Sequence, residues 1–317
     1  MNTQTADIIN RVLPIILLIF LGFWIRRTNF LNEEVIEGLK KLVVNIALPA
    51  VLFISFLYVD FQPSFLVIFI FVFGLNVGLF ILGKILRPKV APDHDYFPYL
   101  MTGFEYGMLG VSLFGSAYGL ANIGVFAVVD LGHEIFIWFV FLPLLLMKRD
   151  GIQRTSDLIG SFLKSPVIIA ILSSIFLNII GVADSLADWP VTGGILSSLE
   201  FLAALTIPLI LIVVGYGIKL DQQGIGSASR VVFIRLLILI PLALLLNYFL
   251  IGGLLGLGKA YQVALFTLFI LPPPFIIPLF MKEGQLEERR YVNNVLTLYT
   301  IASILVFAIY FILNPTL

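Results

Sequence analysis

Hydrophobic positions along this chain gather into runs of about twenty residues separated by short polar turns, the length an α-helix needs to cross a bilayer. Ten such runs can be drawn, at roughly 8–25, 38–58, 64–86, 96–118, 121–147, 159–182, 193–218, 230–256, 260–281 and 291–313. The longest polar interval, around Lys148 to Ser165, falls between the fifth and sixth runs and divides the chain into two halves of five spans, 1–150 and 151–317. The pattern predicts an all-α polytopic membrane protein with almost no length left for a soluble domain. Near its start the first run has only Arg11, without a basic n-region or a small-residue cleavage pattern, so the first span is expected to be retained.

Two runs are interrupted near their middles. The fourth carries Phe104-Glu105-Tyr106-Gly107-Met108-Leu109-Gly110, and the ninth carries Leu271-Pro272-Pro273-Pro274-Phe275-Ile276-Ile277-Pro278. Lipid cannot satisfy the backbone groups that such a break releases, so it is tolerated only where protein or a water-filled cavity surrounds it. A shift of 165 residues lays the fourth run on the ninth without gaps, placing Phe104 on Phe269, Gly107 on Pro272 and Gly119 on Gly284. Pro14 has a counterpart in Pro166, and Ile46-Ala47-Leu48-Pro49 echoes Leu205-Thr206-Ile207-Pro208. Because each half has an odd number of spans, the second must enter the membrane in the opposite sense. The reading is of two inverted five-helix repeats whose broken spans four and nine cross near the midplane, an arrangement that points to a transporter binding site. Glycines 103, 107, 110, 115 and 119 could instead serve close helix packing. The three consecutive prolines argue against a packing role for span nine, since each removes a donor and clashes with the preceding turn.

Composition agrees with the membrane class: 60% of residues are hydrophobic and 12% charged, with a mean hydropathy of +1.08. Zero formal charge argues against a nucleic-acid partner, and the absence of cysteine excludes disulfides and thiolate chemistry. All but two of the nineteen lysines and arginines, Arg235 among them, fall on one side of the predicted spans, the exceptions being Arg11 and Lys259. The positive-inside pattern places that side in the cytoplasm and both termini outside the cell or inner membrane. No lysine or arginine is expected at mid-depth.

Glu105 lies near the midpoint of span four, where an ionised carboxylate costs roughly 2.5–3.5 kcal/mol before compensation. It is read either as an acid hydrogen-bonded to the broken backbone or as a proton or cation site beside the substrate. Asp130, His133 and Glu134 share one helical face of span five, at a depth close to that of Glu105. They are candidates for ion coupling, or a network that locks span five to its neighbours. With two histidines and no cysteine the ligand set for a metal is poor, and no metal or other cofactor is expected. Tyr106, Gly107, Pro272, Pro273 and Pro274 are candidate substrate contacts, as are Asn45 and Asn294, the latter because the 165-residue shift puts it beside the position matching Asp130. Asn76, Asn178, Asn247 and Asn293 are read as packing amides, and Trp138, Tyr216 and Tyr299 as packing aromatics.

The run Leu271–Glu283, with its leading Leu-Pro, a second Pro six positions later and a closing Lys282-Glu283, resembles the ninth span of the auxin efflux carrier family, which includes the plant PIN carriers and many bacterial members. Gly110, Leu113, Tyr118 and Gly119 of span four, the stretch Asn45–Phe53, and Asp130-Leu131-Gly132 are similar too. The resemblance implies a transporter with an elevator-like movement. In that plan spans one, two, six and seven form a scaffold that often dimerises, and spans three to five and eight to ten form the moving transport domain. The implied function is efflux-type secondary transport of small organic anions; from Glu105 itself, coupling to a proton or a sodium ion is a candidate, with uncoupled transport the alternative. Plant members place an asparagine where this chain has Glu105. The alternative is a membrane sensor of the same fold without net flux. An intramembrane enzyme using Glu134 and His133 is the least favoured reading, and the chain is read as no enzyme.

Overall fold

In the computed structural model residues 3–150, 163–219, 221–282 and 284–317 are described, and among them all regular structure is helical. Most of the polar stretch expected to join the two halves lies outside the described residues, as does Glu283 of the Lys-Glu pair. Helix α1 covers Thr3–Arg27, α2 Glu33–Leu57 and α3 Ser64–Val90. The fourth run is split into a short helix α4, Phe97–Met101, and a second piece that opens with a wide turn, Tyr106–Gly110, and continues as α5, Val111–Tyr118. Then come α6 (Leu120–Arg149), α7 (Pro166–Ile179), α8 (Pro190–Gly217), α9 (Ile225–Leu254), α10 (Lys259–Ile270) and α11 (Leu286–Leu313). Among the described residues six helices are long and apolar enough to cross a membrane, namely α2, α3, α6, α8, α9 and α11, while α7 and α10 are shorter apolar helices.

Local chemistry explains the boundaries. Asn32 caps α2, its side chain accepting from the Val35 N–H at 2.9 Å, and Glu33 and Glu34 follow in the first turn, where carboxylates suit the helix dipole. The wide turns Val43–Ala47 and Ile137–Phe141 each lie just before a proline, Pro49 and Pro143. A proline offers no N–H to the turn before it and its ring crowds that turn, which widens to compensate.

Large apolar side chains such as Phe20, Phe176, Phe201, Phe233 and Leu254 point outward, each more than half exposed. In water such a belt would be a liability; in lipid it is the expected outer surface.

Packing divides the helices. Helix α1 lies along α8, and α2 along both α7 and α8. Helix α3 packs on α6 and α4, α9 on α11 and α10, and α6 on α10. Helices α1 and α8 meet backbone to backbone: a Cβ added at Gly22 would overlap the Ile212 carbonyl oxygen, and one at Gly215 the Ile19 carbonyl oxygen. Such reciprocal contact requires glycine on both helices. On the basic side, Asp95 in the turn after α3 is bonded by Lys148 of α6 at 3.1 Å and paired with Arg87 of α3.

Two stability tests arise here. Gly215→Val must force α1 and α8 apart and is expected to cost at least the roughly 1–3 kcal/mol of core overpacking, read as a lowered midpoint of thermal unfolding in detergent. The hydrogen bond from Lys148, with the charges of Lys148 and Arg87, holds the Asp95 pKa below the usual carboxylate range against the opposing effect of partial burial. A depressed folded-state pKa gives stability that is present above the unfolded value and is lost as pH falls through the folded one. Asp95→Asn is therefore expected to be less stable than the parent at pH 7, within the roughly 0.2–1 kcal/mol of exposed pairs. The gap should close below about pH 4.

Candidate functional site

The two interrupted stretches meet in the middle of the molecule. After Met101 the chain leaves the helix through Thr102–Glu105, and after Ile270 it runs extended through three prolines to the short turn Ile277–Phe280. Gly103 has a φ of +73°, and a Cβ there would stand 2.6 Å from Pro274 Cγ, so only glycine fits. The rings of Phe104 and Phe269 stack at 5.6 Å and 7°.

Many of the backbone groups freed at this crossing find partners. The Gly103 N–H donates to Asn76 Oδ1 at 3.1 Å, the Phe104 N–H to His133 Nε2 at 2.8 Å, and the Glu105 N–H to the Pro272 carbonyl at 2.8 Å. Pro272, Pro273 and Pro274, all buried, contribute no N–H groups at all, which removes three donors that would otherwise need partners. The Glu105 carboxylate accepts from Phe275 N–H, the first donor after the three prolines, at 2.6 Å and from Met108 N–H at 3.3 Å. The carbonyls are served by Arg235, whose guanidinium donates to Leu100 O at 2.7 Å and to Gly103 O, with longer contacts of 3.5 Å to Thr102 O and Leu271 O. Ser303 donates to Ile270 O at 2.5 Å.

Arg235 overturns the expectation that no basic residue lies at mid-depth. It sits about 15 Å into α9, is fully buried, and lies over the rings of Phe104 and Tyr299 at 5.2 and 5.1 Å. Its place in the basic-side count was wrong because counting by sequence cannot tell a snorkelling arginine from one drawn inward by open carbonyls. Tyr299, read as packing only, is part of its setting.

Asp130 and His133 are buried behind the break, with His133 Nδ1 2.7 Å from Asp130 Oδ1. Because Nε2 must accept from Phe104, Nδ1 carries the hydrogen and donates to Asp130, which leaves the imidazole no lone pair for a metal. Ligand atoms of Asp130, His133 and Glu134 lie within 4.8 Å of one another, yet the histidine is already committed. Glu134 is only half-buried and accepts from Trp138 Nε1 at 2.9 Å, so this carboxylate and Trp138 are partners rather than separate features.

Of the remaining candidates, Tyr106 is buried against Phe126, its ring 4.8 Å away, and its buried hydroxyl has no hydrogen-bond partner among the described residues. Gly107 faces Leu48 of α2, and Pro272, Pro273 and Pro274 are buried. Asn45 is exposed and bonds back to Lys41 O at 2.9 Å; it faces away from the crossing. Asn294 is buried but holds the turn before α9, accepting from Asp221 N–H at 2.9 Å and donating to Asp221 O at 3.0 Å and Gln223 O at 2.9 Å. An amide matched by repeat alignment alone carries no information about its rotation, and neither asparagine reaches the crossing.

A cavity of about 540 Å³ leads to the site. Its mouth carries Arg26, Lys40, Lys219 and Arg289 with Glu33 and Glu37, and its inner end reaches Met108 and Phe275, the residues whose N–H groups hold Glu105. A second cavity of about 520 Å³ opens at the opposite ends of α2 and α8, among Tyr58, Asp60, Glu200 and Tyr261. Between the two stand Leu48 against Gly107 and Ile207 against Gly115.

A family model described as membrane transport protein matches residues 7–311, nearly the whole chain. No curated protein matches it.

Removing the guanidinium should expose how much the crossing depends on it. Arg235→Met strands at least two buried carbonyls, each worth about 1–3 kcal/mol when unpartnered. A loss of roughly 3 kcal/mol or more is expected in thermal or denaturant unfolding, and Arg235→Lys, which lacks the two-pronged geometry, should recover only part of it.

Proposed function

Because this chain belongs to the membrane transport protein family, a family of transporters rather than enzymes, we propose that it is a secondary transporter of small organic anions working by alternating access. The observation that carries this reading is the cavity that opens among four basic side chains and ends at the two broken stretches. Fixed positive charge at its mouth raises the local concentration of anions, and backbone N–H groups at its floor suit a carboxylate or similar oxyanion.

Several features support a ten-span, inverted-repeat plan. When each span of the first half is exchanged for its counterpart in the second, the pairing of α1 with α8 becomes that of α7 with α2, and the pairing of α3 with α6 becomes that of α9 with α11. Phe104 and Phe269, equivalent under the 165-residue shift, stack on each other. We assign α1, α2, α7 and α8 to the scaffold, whose exposed apolar face would receive lipid or a second copy in a homodimer, and the other helices to an elevator-like transport domain. Coupling to a proton or cation is assigned to Glu105. Asp130 and His133 are assigned to holding the broken backbone, since both ring nitrogens of His133 are in use. With the basic residues at the cavity mouth in the cytoplasm, substrate loads from inside, at the plasma or inner membrane.

The test is uptake of labelled organic acids into proteoliposomes under imposed proton and sodium gradients. Accumulation that follows one gradient in the native protein, and loses that dependence in Glu105→Gln, is the expected result. Absence of flux for every acid under every gradient, with the protein folded, would remove the transporter reading.

A further inference from the structure

Met108 and Phe275 line the basic cavity, and the backbone N–H of each is held by one carboxylate of the chain itself. Glu105 is buried, 9% exposed, and is bonded to two residues that line the cavity. Its two contacts come from different halves of the chain, 170 residues apart in one case and three in the other. The contact with Phe275 is short for an N–H donor. The positive partner of the crossing, Arg235, faces carbonyls and does not bond the carboxylate, so among the described hydrogen bonds the two N–H groups are the partners of the Glu105 carboxylate.

We propose that Glu105 is a tethered stand-in for substrate: its carboxylate fills the anion seat formed by Met108 N–H and Phe275 N–H, and an anionic substrate loads by displacing it. The inference rests on the transporter reading only for the word substrate; the seat itself is a binding property of the folded chain. Displacement has a direct thermodynamic signature. A ligand whose seat is vacant a tenth of the time or less binds with an apparent Kd at least tenfold weaker than its intrinsic value. The wild-type chain should therefore bind a simple carboxylate weakly, and a chain without the Glu105 side chain should bind it at least ten times more tightly.

The experiment is a thermal-unfolding titration of the full chain in detergent with sodium acetate, at constant ionic strength against sodium chloride. It is run on the native protein, Glu105→Ala and Glu105→Gln. The half-saturating acetate concentration is expected to be lowest for Glu105→Ala. Glu105→Gln should be intermediate, since the two donors are held by the two different carboxylate oxygens and the amide keeps only one oxygen, and the native protein should be highest. If Glu105→Ala is unfolded in chloride but recovered as monodisperse protein in acetate, the seat is equally supported. If it cannot be recovered in either salt, the comparison of Glu105→Gln with the native chain decides. Equal acetate responses in the folded proteins, or none in the variants, overturn the proposal. The outcome is separable from transport: acetate binding without flux would sink the transporter reading and keep the seat. Flux without the ordered acetate response would do the reverse.

Discussion

A helix that breaks inside a membrane leaves N–H and C=O groups that lipid cannot partner, and the rest of this structure is arranged around that constraint. Two ionisable side chains meet it from opposite directions. Arg235 supplies donors to the carbonyls of Leu100 and Gly103, and Glu105 supplies acceptors to the N–H groups of Phe275 and Met108. Inserting either charge at mid-depth costs roughly 2.5–3.5 kcal/mol, and each charge-assisted bond returns about 1.5–3 kcal/mol. Two bonds per charge bring the balance near zero, and the rings of Phe104 and Tyr299 on Arg235 add to the favourable side. The crossing is therefore largely a hydrogen-bonded polar core in an apolar body, with the Tyr106 hydroxyl beside it left without a partner among the described residues.

The helices that satisfy it form one group. Asn76 comes from α3, His133 from α6, Arg235 from α9 and Ser303 from α11, one side chain from each. These bonds are directional and buried, so the crossing cannot shift relative to those four helices without stranding polar groups at about 1–3 kcal/mol apiece. Against α2 and α8 the contacts at the same level are of a different kind: Leu48 beside Gly107 and Ile207 beside Gly115. Apolar surfaces can slide and repack at much lower cost than a hydrogen-bonded core can be sheared. That contrast is consistent with the proposed transport domain moving as a unit past α2 and α8, and the two cavities lie towards opposite ends of those helices.

How much of this could be read from the chain depended on whether a residue's role is set by its neighbours in sequence. The breaks were legible, because three consecutive prolines and a carboxylate inside apolar runs contradict a continuous span wherever the chain folds. The stacking of Phe104 on Phe269 was foreshadowed by an alignment of the halves. Arg235 was not legible, since ten residues past the start of a helix an arginine either snorkels outward or turns inward, and only the open carbonyls decide. Asn45 and Asn294 failed for a related reason: an asparagine fits any available amide partner, and one found Lys41 O while the other found the turn at Asp221 and Gln223. The Asp130 and His133 pair was visible as a polar cluster, but the bond from Phe104 N–H that fixes the imidazole tautomer joins residues from different helices and leaves no local trace.

The same separation of rim and floor bears on selectivity. Arg26, Lys40, Lys219 and Arg289 stand at the mouth of the cavity, where water and salt screen charges over about 8 Å, so for the proposed anionic substrate they would govern how fast it arrives more than which anion stays. Discrimination needs groups that are costly to leave unpaired, and those lie at the floor, where Glu105 already satisfies the N–H groups of Met108 and Phe275. An incoming group that cannot replace both bonds leaves a buried donor stranded, a loss of the order of 1–3 kcal/mol that no contact at the rim repays. A ligand competing with this carboxylate must match its charge and its two acceptor positions, so the side chain that completes the crossing also sets the chemical standard for whatever displaces it.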